Sequence, residues 1–348
     1  MIGDVSTVIK TTNACNLRCS YCYLDSTNND KISLDVVSDI IKQTISHNRH
    51  WAKFSWVGGE PLLLGIDFFE SVVKIEQETN RSKVLLRNSI QTNGLLLDEK
   101  SYDRVSSLTF KVGVSYDGLE ELQVRHRGRN GKKVQENLRR LVDTGREFNT
   151  ITVLSRLSKG RIKEIYQTLK GMTKNASFNL YTPIGRGEKN QDILLPTPDE
   201  MGCMLIELYD EWFKDPDSKF MINPFVNIVK SMTSGRNNIC EYSGDSCSKI
   251  ISFDPMGDAY ICSRGAQASE YFLGNISEGI VHLLESDILS RVIERRERLK
   301  ELCACEYFDI CNGGCPHEAS HTQGDFFSKS YYCDSKRALF DHIKESVQ

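Results

Sequence analysis

The sequence predicts an α/β protein, a partial (β/α)6 TIM-like barrel followed by a small cysteine-rich domain. Two observations carry that expectation. From residue 5 to about residue 184, runs rich in β-branched and aromatic residues alternate with amphipathic helical stretches. Such alternation implies a parallel sheet with right-handed crossovers, and six units in place of eight leave the barrel open. The second observation is the segregation of the 12 cysteines. Cys15, Cys19 and Cys22 stand near the start, while Cys240, Cys247, Cys262, Cys303, Cys305, Cys311, Cys315 and Cys333 crowd the last third. Only Cys203 is isolated, inside the apolar helical run MGCMLIELYDEWF, where a small buried hydrophobe is expected.

The strands are expected at 5–12, 52–59, 86–93, 110–117, 149–156 and 177–184, and the helices at 33–48, 66–79, 97–106, 132–146 and 161–172. Ser33 and Asp199 each precede an apolar-periodic run as N-caps would. Three parts follow: a barrel over 1–185, a bridge over 186–239 with one helix at 199–214, and a cysteine-rich domain over 240–348. The charge-alternating stretch ERRERLKELC (294–303) is expected to be a solvated helix. In open α/β barrels chemistry gathers at the C-terminal ends of the strands. Cys15 follows strand one, Gly58-Gly59-Glu60-Pro61 strand two, Gln91-Thr92-Asn93-Gly94 ends strand three, and Ser115-Tyr116-Asp117-Gly118 ends strand four.

Composition narrows the function classes. A net charge of −3 over 348 residues argues against nucleic acid or an anionic membrane as partner. No apolar run approaches the ~20 residues needed to span a bilayer. The N-terminus lacks a charged segment followed by an apolar one, so a cytoplasmic protein is expected. The cysteines are too sparse for a disulfide scaffold, and clustered thiols in a reducing compartment read first as metal ligands.

Cys15-Asn16-Leu17-Arg18-Cys19-Ser20-Tyr21-Cys22 is a CxxxCxxC loop. Three thiolates on one loop suit three irons of a 4Fe–4S cube, leaving the fourth iron open. A zinc loop completed by a distant ligand, or a redox pair, is the alternative. This loop, with GGEP, QTNG and SYDG after successive strands, resembles the radical S-adenosylmethionine superfamily. The resemblance implies that the open iron chelates S-adenosylmethionine. Reductive cleavage then gives a 5′-deoxyadenosyl radical that takes a hydrogen atom from substrate. It further implies that Gly58, Gly59 and Glu60 meet the methionine amino group, and that Asn93 and Ser115 lie near the carboxylate or ribose. Arg127 would bind the carboxylate, with Arg125 as a rival. Tyr21 would seat adenine, and Pro183, Ile184 and Gly185 would line that pocket.

The later cysteines resemble the SPASM extension of such enzymes, which carries two auxiliary 4Fe–4S clusters, three clusters in all. The resemblance implies Cys240, Cys247, Cys262 and Cys315 for the first auxiliary cluster, and Cys303, Cys305, Cys311 and Cys333 for the second. Cys303-Ala304-Cys305 stands where the family has CxxC, so ligation by both cysteines requires a tightened loop. Two structural zinc sites, each held by four cysteines, are the alternative reading of these eight residues. His317 and His321 are expected at the surface or behind the ligands.

The motif run looks most like that of peptide maturases, cyclophane-forming ones included, and more distantly that of anaerobic sulfatase-maturing enzymes. The leading expectation is oxidative crosslinking of side chains in a ribosomally made peptide, of cyclophane or thioether type. A low-potential donor such as flavodoxin or ferredoxin would supply electrons. Dehydrogenation of a small alcohol such as an aminoglycoside, sulfatase-type oxidation of a protein side chain, and a non-catalytic metal scaffold are the alternatives. Sulfatase-maturing relatives place an aspartate base after the cysteine corresponding to Cys262, where this chain has Ser263. A barrel starting by residue 5 leaves no room for a leader-gripping N-terminal module, so the barrel rim, the bridge or a separate protein would recognise the peptide. Tyr181, Asp117 and Ser263 are the candidate bases.

Overall fold

The computed structural model describes residues 3–24, 28–216, 219–234, 240, 242, 246–265 and 269–347. Along the chain the first elements are β1 (Ser6–Lys10), α1 (Leu34–His47), β2 (Trp51–Val57), α2 (Ile66–Thr79), β3 (Leu85–Thr92), α3 (Glu99–Ser107), β4 (Lys111–Ser115), α4 (Glu120–Arg127), α5 (Gly131–Asp143), β5 (Asn149–Leu154), α6 (Ile162–Lys170) and β6 (Asn175–Leu180). There follow α7 (Gln191–Leu194), α8 (Pro198–Phe213), β7 (Met221–Asn223), α9 (Phe225–Ser234), β8 (Ile250–Phe253), β9 (Asp258–Tyr260), β10 (Phe272–Asn275), α10 (Ile280–Leu284), α11 (Asp287–Cys303), α12 (Phe308–Cys311), α13 (Pro316–Gln323) and α14 (Cys333–Ser346). Each expected strand and helix of the βα repeats is present, with ends shifted by up to four residues. The short α4 was not anticipated. Among the described residues no helix is long and apolar enough to cross a membrane.

The chain divides into two compact units, Met1–Leu17 with Leu24–Gly113 and Cys247–Ile293, and Arg18–Tyr23 with Val114–Ser246 and Glu294–Gln348. In the first unit β1 pairs in parallel with β2, and β2 with β3. The other edge of β1 takes β8 in parallel, Ser6 opposite Ile250, and β9 and β10 continue antiparallel. The early part of the cysteine-rich region therefore extends the sheet of the first unit and does not stand apart at residue 240. The expected boundary at residue 239 lies outside the described residues. One face of β2 is apolar: Trp56 packs edge-on against Phe69 of α2 at 6.0 Å, and Phe69 against Phe68 at 5.2 Å. The alternate residues Lys53, Ser55 and Val57 form the other face. At the start of α1 the Ser33 hydroxyl accepts the Val36 N–H at 3.2 Å, as expected of the cap.

In the second unit β5, β6 and β7 run parallel, and α8 packs on α14 closely enough that a Cβ on Gly202 would lie 3.4 Å from the Ser335 Cα. Three expectations are corrected here. The N-cap of α8 is Thr197 and not Asp199. Thr197 and Glu200 form a capping box, with Glu200 N–H on the Thr197 hydroxyl at 3.2 Å and Thr197 N–H on the Glu200 carboxylate at 3.0 Å. Pro198 at the first helical position starts the helix before Asp199. Cys203 is exposed, because α8 buries Met201, Gly202, Met204, Leu205 and Leu208 on its inner side and turns residue 203 outward. The 294–303 stretch is helical but not simply solvated. Arg295 is 3% exposed and Leu299 is buried.

Candidate active site

In the first unit the residues after β1 and β2 interlock. The Gly59 N–H donates to the Thr12 carbonyl at 2.8 Å and the Glu60 N–H to the Ala14 carbonyl at 2.9 Å. A Cβ on Gly59 would lie 2.0 Å from the Ala14 oxygen, and one on Gly58, at φ +141°, 2.6 Å from the Thr12 oxygen. The two glycines therefore let the β2 turn lie flush against the backbone that leads into Cys15. Glu60 is fully buried, with Oε1 accepting from the Thr92 hydroxyl at 2.7 Å and Leu62 N–H at 3.1 Å, and Oε2 from Asn93 N–H at 2.7 Å. Asn93 in turn donates through Nδ2 to Asn16 at 2.7 Å and reaches the Cys15 sulfur at 3.7 Å. GGEP, QTNG and the first cysteine thus meet around one carboxylate.

In the second unit, residues 18–23 carry Cys19 and Cys22. The Tyr21 hydroxyl donates to both oxygens of Asp117 at 2.9 Å. Arg127 donates through Nε to Asp117 at 3.0 Å and through Nη2 to the Tyr21 oxygen. Asp117 and Arg127 are buried and Tyr21 is partly exposed. Arg127 was expected to hold a ligand carboxylate, but it faces Asp117, and Tyr21 is anchored by its phenol. Arg125, its rival, lies on the same helix, in the last turn of α4. His126 bridges the Ser20 and Ser155 hydroxyls at 3.0 and 3.3 Å, and burial holds its imidazole below the ordinary pKa. From the other side Asn190 Nδ2 donates to the Ser20 carbonyl at 2.9 Å, and the Gly187 N–H to the Cys22 carbonyl at 3.2 Å. Gly185, at φ +55°, leaves no room for a Cβ against the Tyr23 oxygen, and Ile184 beside it is buried. Ser115 ends β4, partly buried.

The same unit holds a cavity of about 580 Å³ lined by Cys303, Cys305, Cys311 and Cys333. Cys303 ends α11, and Ala304 then adopts φ +40°, a left-handed turn that brings Cys305 back to the cavity that Cys303 lines. The chain thus turns tightly between the two cysteines. The Gly313 N–H donates to the Cys311 sulfur at 3.3 Å. Burial raises the Cys303, Cys311 and Cys333 thiols, and each is raised further by the charge of other cysteines of the four. Nearby cations act in the opposite direction: Lys329 and then Arg295 on Cys303, Lys336 on Cys311, and Lys329 and then Lys336 on Cys333. Four cysteines lining one cavity fit the donor set of a polynuclear cluster. Among the described residues no three His, Cys, Asp or Glu form a single-ion site.

Of the other expected ligands, Cys15, Cys247 and Cys262 belong to the first unit, and Cys240 and Cys315 to the second. Two expected bases are otherwise engaged. Asp117 is held by Tyr21 and Arg127, and the Tyr181 phenol is buried and donates to the Gly187 carbonyl at 2.6 Å. Ser263 is partly exposed at the start of a short turn after Cys262. His317 is buried and edge-on to exposed His321 at 4.7 Å. Sequence reasoning missed His126, Ser155 and Asn190. His126 lies on α4, Ser155 just after β5 and Asn190 in the 185–190 turn, and no motif marks any of the three as a support of the cysteine loop.

Residues 9–169 match the model of the Radical SAM superfamily. The cysteine-type anaerobic sulfatase-maturating enzyme of Clostridium perfringens (strain 13) is 25% identical, covering 95% of this chain and 94% of that protein. Native anSMEcpe with bound AdoMet and Cp18Cys peptide superposes with a TM-score of 0.87 at 25% identity, over 98% of this chain and 97% of that one. Streptococcus suis SuiB bound to precursor peptide SuiA shares the fold at a TM-score of 0.71 and 14% identity, over 95% of this chain and 76% of that one.

Proposed function

We propose that this chain is a radical S-adenosylmethionine enzyme, as its match to that superfamily over residues 9–169 and its similarity to sulfatase-maturating enzymes support, and that it oxidatively modifies a peptide, joining two of its side chains. The observation that carries the reading is the cavity ringed by Cys303, Cys305, Cys311 and Cys333. A cube held by four protein thiolates has no open iron and serves as an electron carrier. Crosslinking removes a hydrogen atom and then one electron and one proton, so an internal electron acceptor suits it. The peptide class is supported by anSMEcpe and SuiB, whose structures hold Cp18Cys peptide and SuiA.

When bound through Cys15, Cys19 and Cys22, a 4Fe–4S cluster supplies the electron that cleaves S-adenosylmethionine. The chain's own residues build the seat. Glu60 sets the turn of Asn93 beside Cys15, and Gly58 and Gly59 keep the backbone flush. Tyr21, Asp117, Arg127 and His126 anchor the loop that carries Cys19 and Cys22 through their hydrogen bonds. Cys240, Cys247, Cys262 and Cys315 would hold the remaining auxiliary cluster.

Oxidation of one side chain to an aldehyde is the second reading, favoured by the sulfatase-maturating relatives. Against it, Ser263 occupies the place of the expected aspartate.

The test is anaerobic reconstitution, followed by turnover with peptides encoded beside the gene. About twelve irons per chain and formation of 5′-deoxyadenosine are expected. Cys19→Ala should abolish cleavage, while Cys311→Ala should keep part of it and lose product. A product lighter by two hydrogens and inert to hydrazide supports crosslinking; a hydrazide-reactive product supports the aldehyde. Zinc in place of iron, with no cleavage, would overturn both.

A further inference from the structure

Lys53, Arg87 and Lys111 stand on one face of β2, β3 and β4, near the N-terminal ends of these strands. Lys53 and Arg87 are direct partners in the parallel register. Two residues on, the Ser89 hydroxyl donates to the Ser55 hydroxyl at 3.2 Å, which fixes the shared face. Gln91 continues that face, and its side-chain oxygen lies 2.3 Å from where a Cβ on Gly113 would stand. Lys111, two residues before Gly113, therefore lies on it too. The opposite face is the apolar one packed on α2.

All three side chains are reached by solvent, and among the described residues no carboxylate forms an ion pair with any of them. Burial first, then the charges of Lys111 and Arg87, pushes the Lys53 ammonium below its ordinary pKa. Three like charges held close together without a counterion cost stability unless an anion joins them. Position says which anion. The same strands lead to the Gly58–Glu60 turn and to Asn93, five residues beyond Lys53 (58 − 53) and six beyond Arg87 (93 − 87). At ~3.3 Å per residue that is on the order of 16–20 Å, the reach of about five or six residues of an extended peptide.

We propose that Lys53, Arg87 and Lys111 form a specificity subsite for an acidic segment of the peptide substrate, about five or six residues from the residue that is oxidised. The inference rests on the peptide reading above and names the charge of the substrate.

The probe is a fluorescein-labelled peptide of alternating glutamate and glycine, about ten residues long, with a lysine–glycine counterpart. Binding is read by fluorescence anisotropy on the reconstituted holoenzyme with S-adenosylmethionine, across a salt series. The glutamate peptide should bind, weaken with salt and outcompete the lysine peptide. The triple variant Lys53→Glu/Arg87→Glu/Lys111→Glu should weaken it by about tenfold or more, while peptide-independent 5′-deoxyadenosine formation stays at the parent level. The charge-keeping variant Lys53→Arg/Arg87→Lys/Lys111→Arg should retain binding, which separates loss of charge from loss of fold. Equal binding of the two peptides, undiminished binding by the reversed triple variant, or tighter binding of a single-stranded oligonucleotide would each overturn the subsite. Absence of S-adenosylmethionine cleavage in the parent protein would instead defeat the proposed function and leave the binding result standing.

Discussion

The Glu60 carboxylate accepts the backbone N–H of Asn93 at 2.7 Å, and so ties the end of β3 to the turn after β2. With Thr92 and Leu62 on its other oxygen, the group is a fully buried acceptor hub, and Asn93 passes the order on to Asn16 and Cys15. Motifs that look independent in the sequence are therefore one hydrogen-bonded assembly.

Glu60→Gln keeps the volume but presents an amide N–H to a backbone N–H or leaves one donor unmatched. Folding should weaken by on the order of 2 kcal/mol. S-adenosylmethionine affinity should fall more than the iron content of the first cluster, because the seat of Asn93 loosens while the cysteines remain. Equilibrium dialysis beside iron analysis checks both, and unchanged affinity would refute this role.

Ala304 holds φ +40° between two cavity-lining cysteines, a conformation that costs an L-residue roughly 1–2 kcal/mol. Ala304→Gly should raise thermal stability or auxiliary-cluster occupancy. Ala304→Val, whose branched Cβ tolerates this region poorly, should lower iron per chain while leaving 5′-deoxyadenosine formation detectable. Iron and sulfide analysis distinguishes the two, and equal loading by both variants would remove the strain argument.

Arg295 donates Nε to the Phe326 carbonyl at 2.6 Å, Nη1 to Gly314 at 3.0 Å, and Nη2 to Gly313 and Ser328 at 3.1 and 2.8 Å. One buried guanidinium thus splints the loops that flank Cys311, Cys315 and Cys333. Arg295→Lys cannot reproduce this fork and should behave nearly as badly as Arg295→Met, with loss of several kcal/mol of stability. Auxiliary iron should fall with it. A lysine variant with full iron and parent melting temperature would contradict the splint.

Glu76 of α2 is 3% exposed, and its two carboxylate oxygens accept from the Asn88 amide nitrogen at 3.0 and 2.9 Å. Burial raises its carboxyl to about 7 from an ordinary 4.5, partly opposed by Asn88. A folded pKa above the unfolded one means that stability is greatest below about pH 4.5 and is lost as pH rises towards 7, on the order of 3 kcal/mol from this group. Glu76→Gln should flatten that slope and exceed the parent above about pH 7. Melting curves from about pH 4.5 to about pH 8.5 test it; parallel curves for the two proteins would exclude it.

Much of the fold was legible because its signals are local. Period-two runs and apolar helical stripes read directly as βα repeats, and Ser33 caps α1 as its position implied. Asp199 failed as a cap because Thr197, with Pro198 and Glu200, makes the stronger local signal just ahead of it. Arg295 was hidden because a charge pattern does not reveal which single cation finds four carbonyls to bury against. Cys203 was misjudged because an apolar run does not say which helix side faces inward.

Chain-local information determined the succession of strands and helices in the repeats, the loop of Cys15, Cys19 and Cys22, and which cysteines belong to the C-terminal set, since spacing and period are properties of neighbouring residues. Tertiary structure alone decided that Arg127 pairs with Asp117 and Tyr21, and that β8 joins β1. It also decided that Lys53, Arg87 and Lys111 share a face. Those relations depend on desolvation and on contacts between residues far apart in the chain, and no periodicity encodes them.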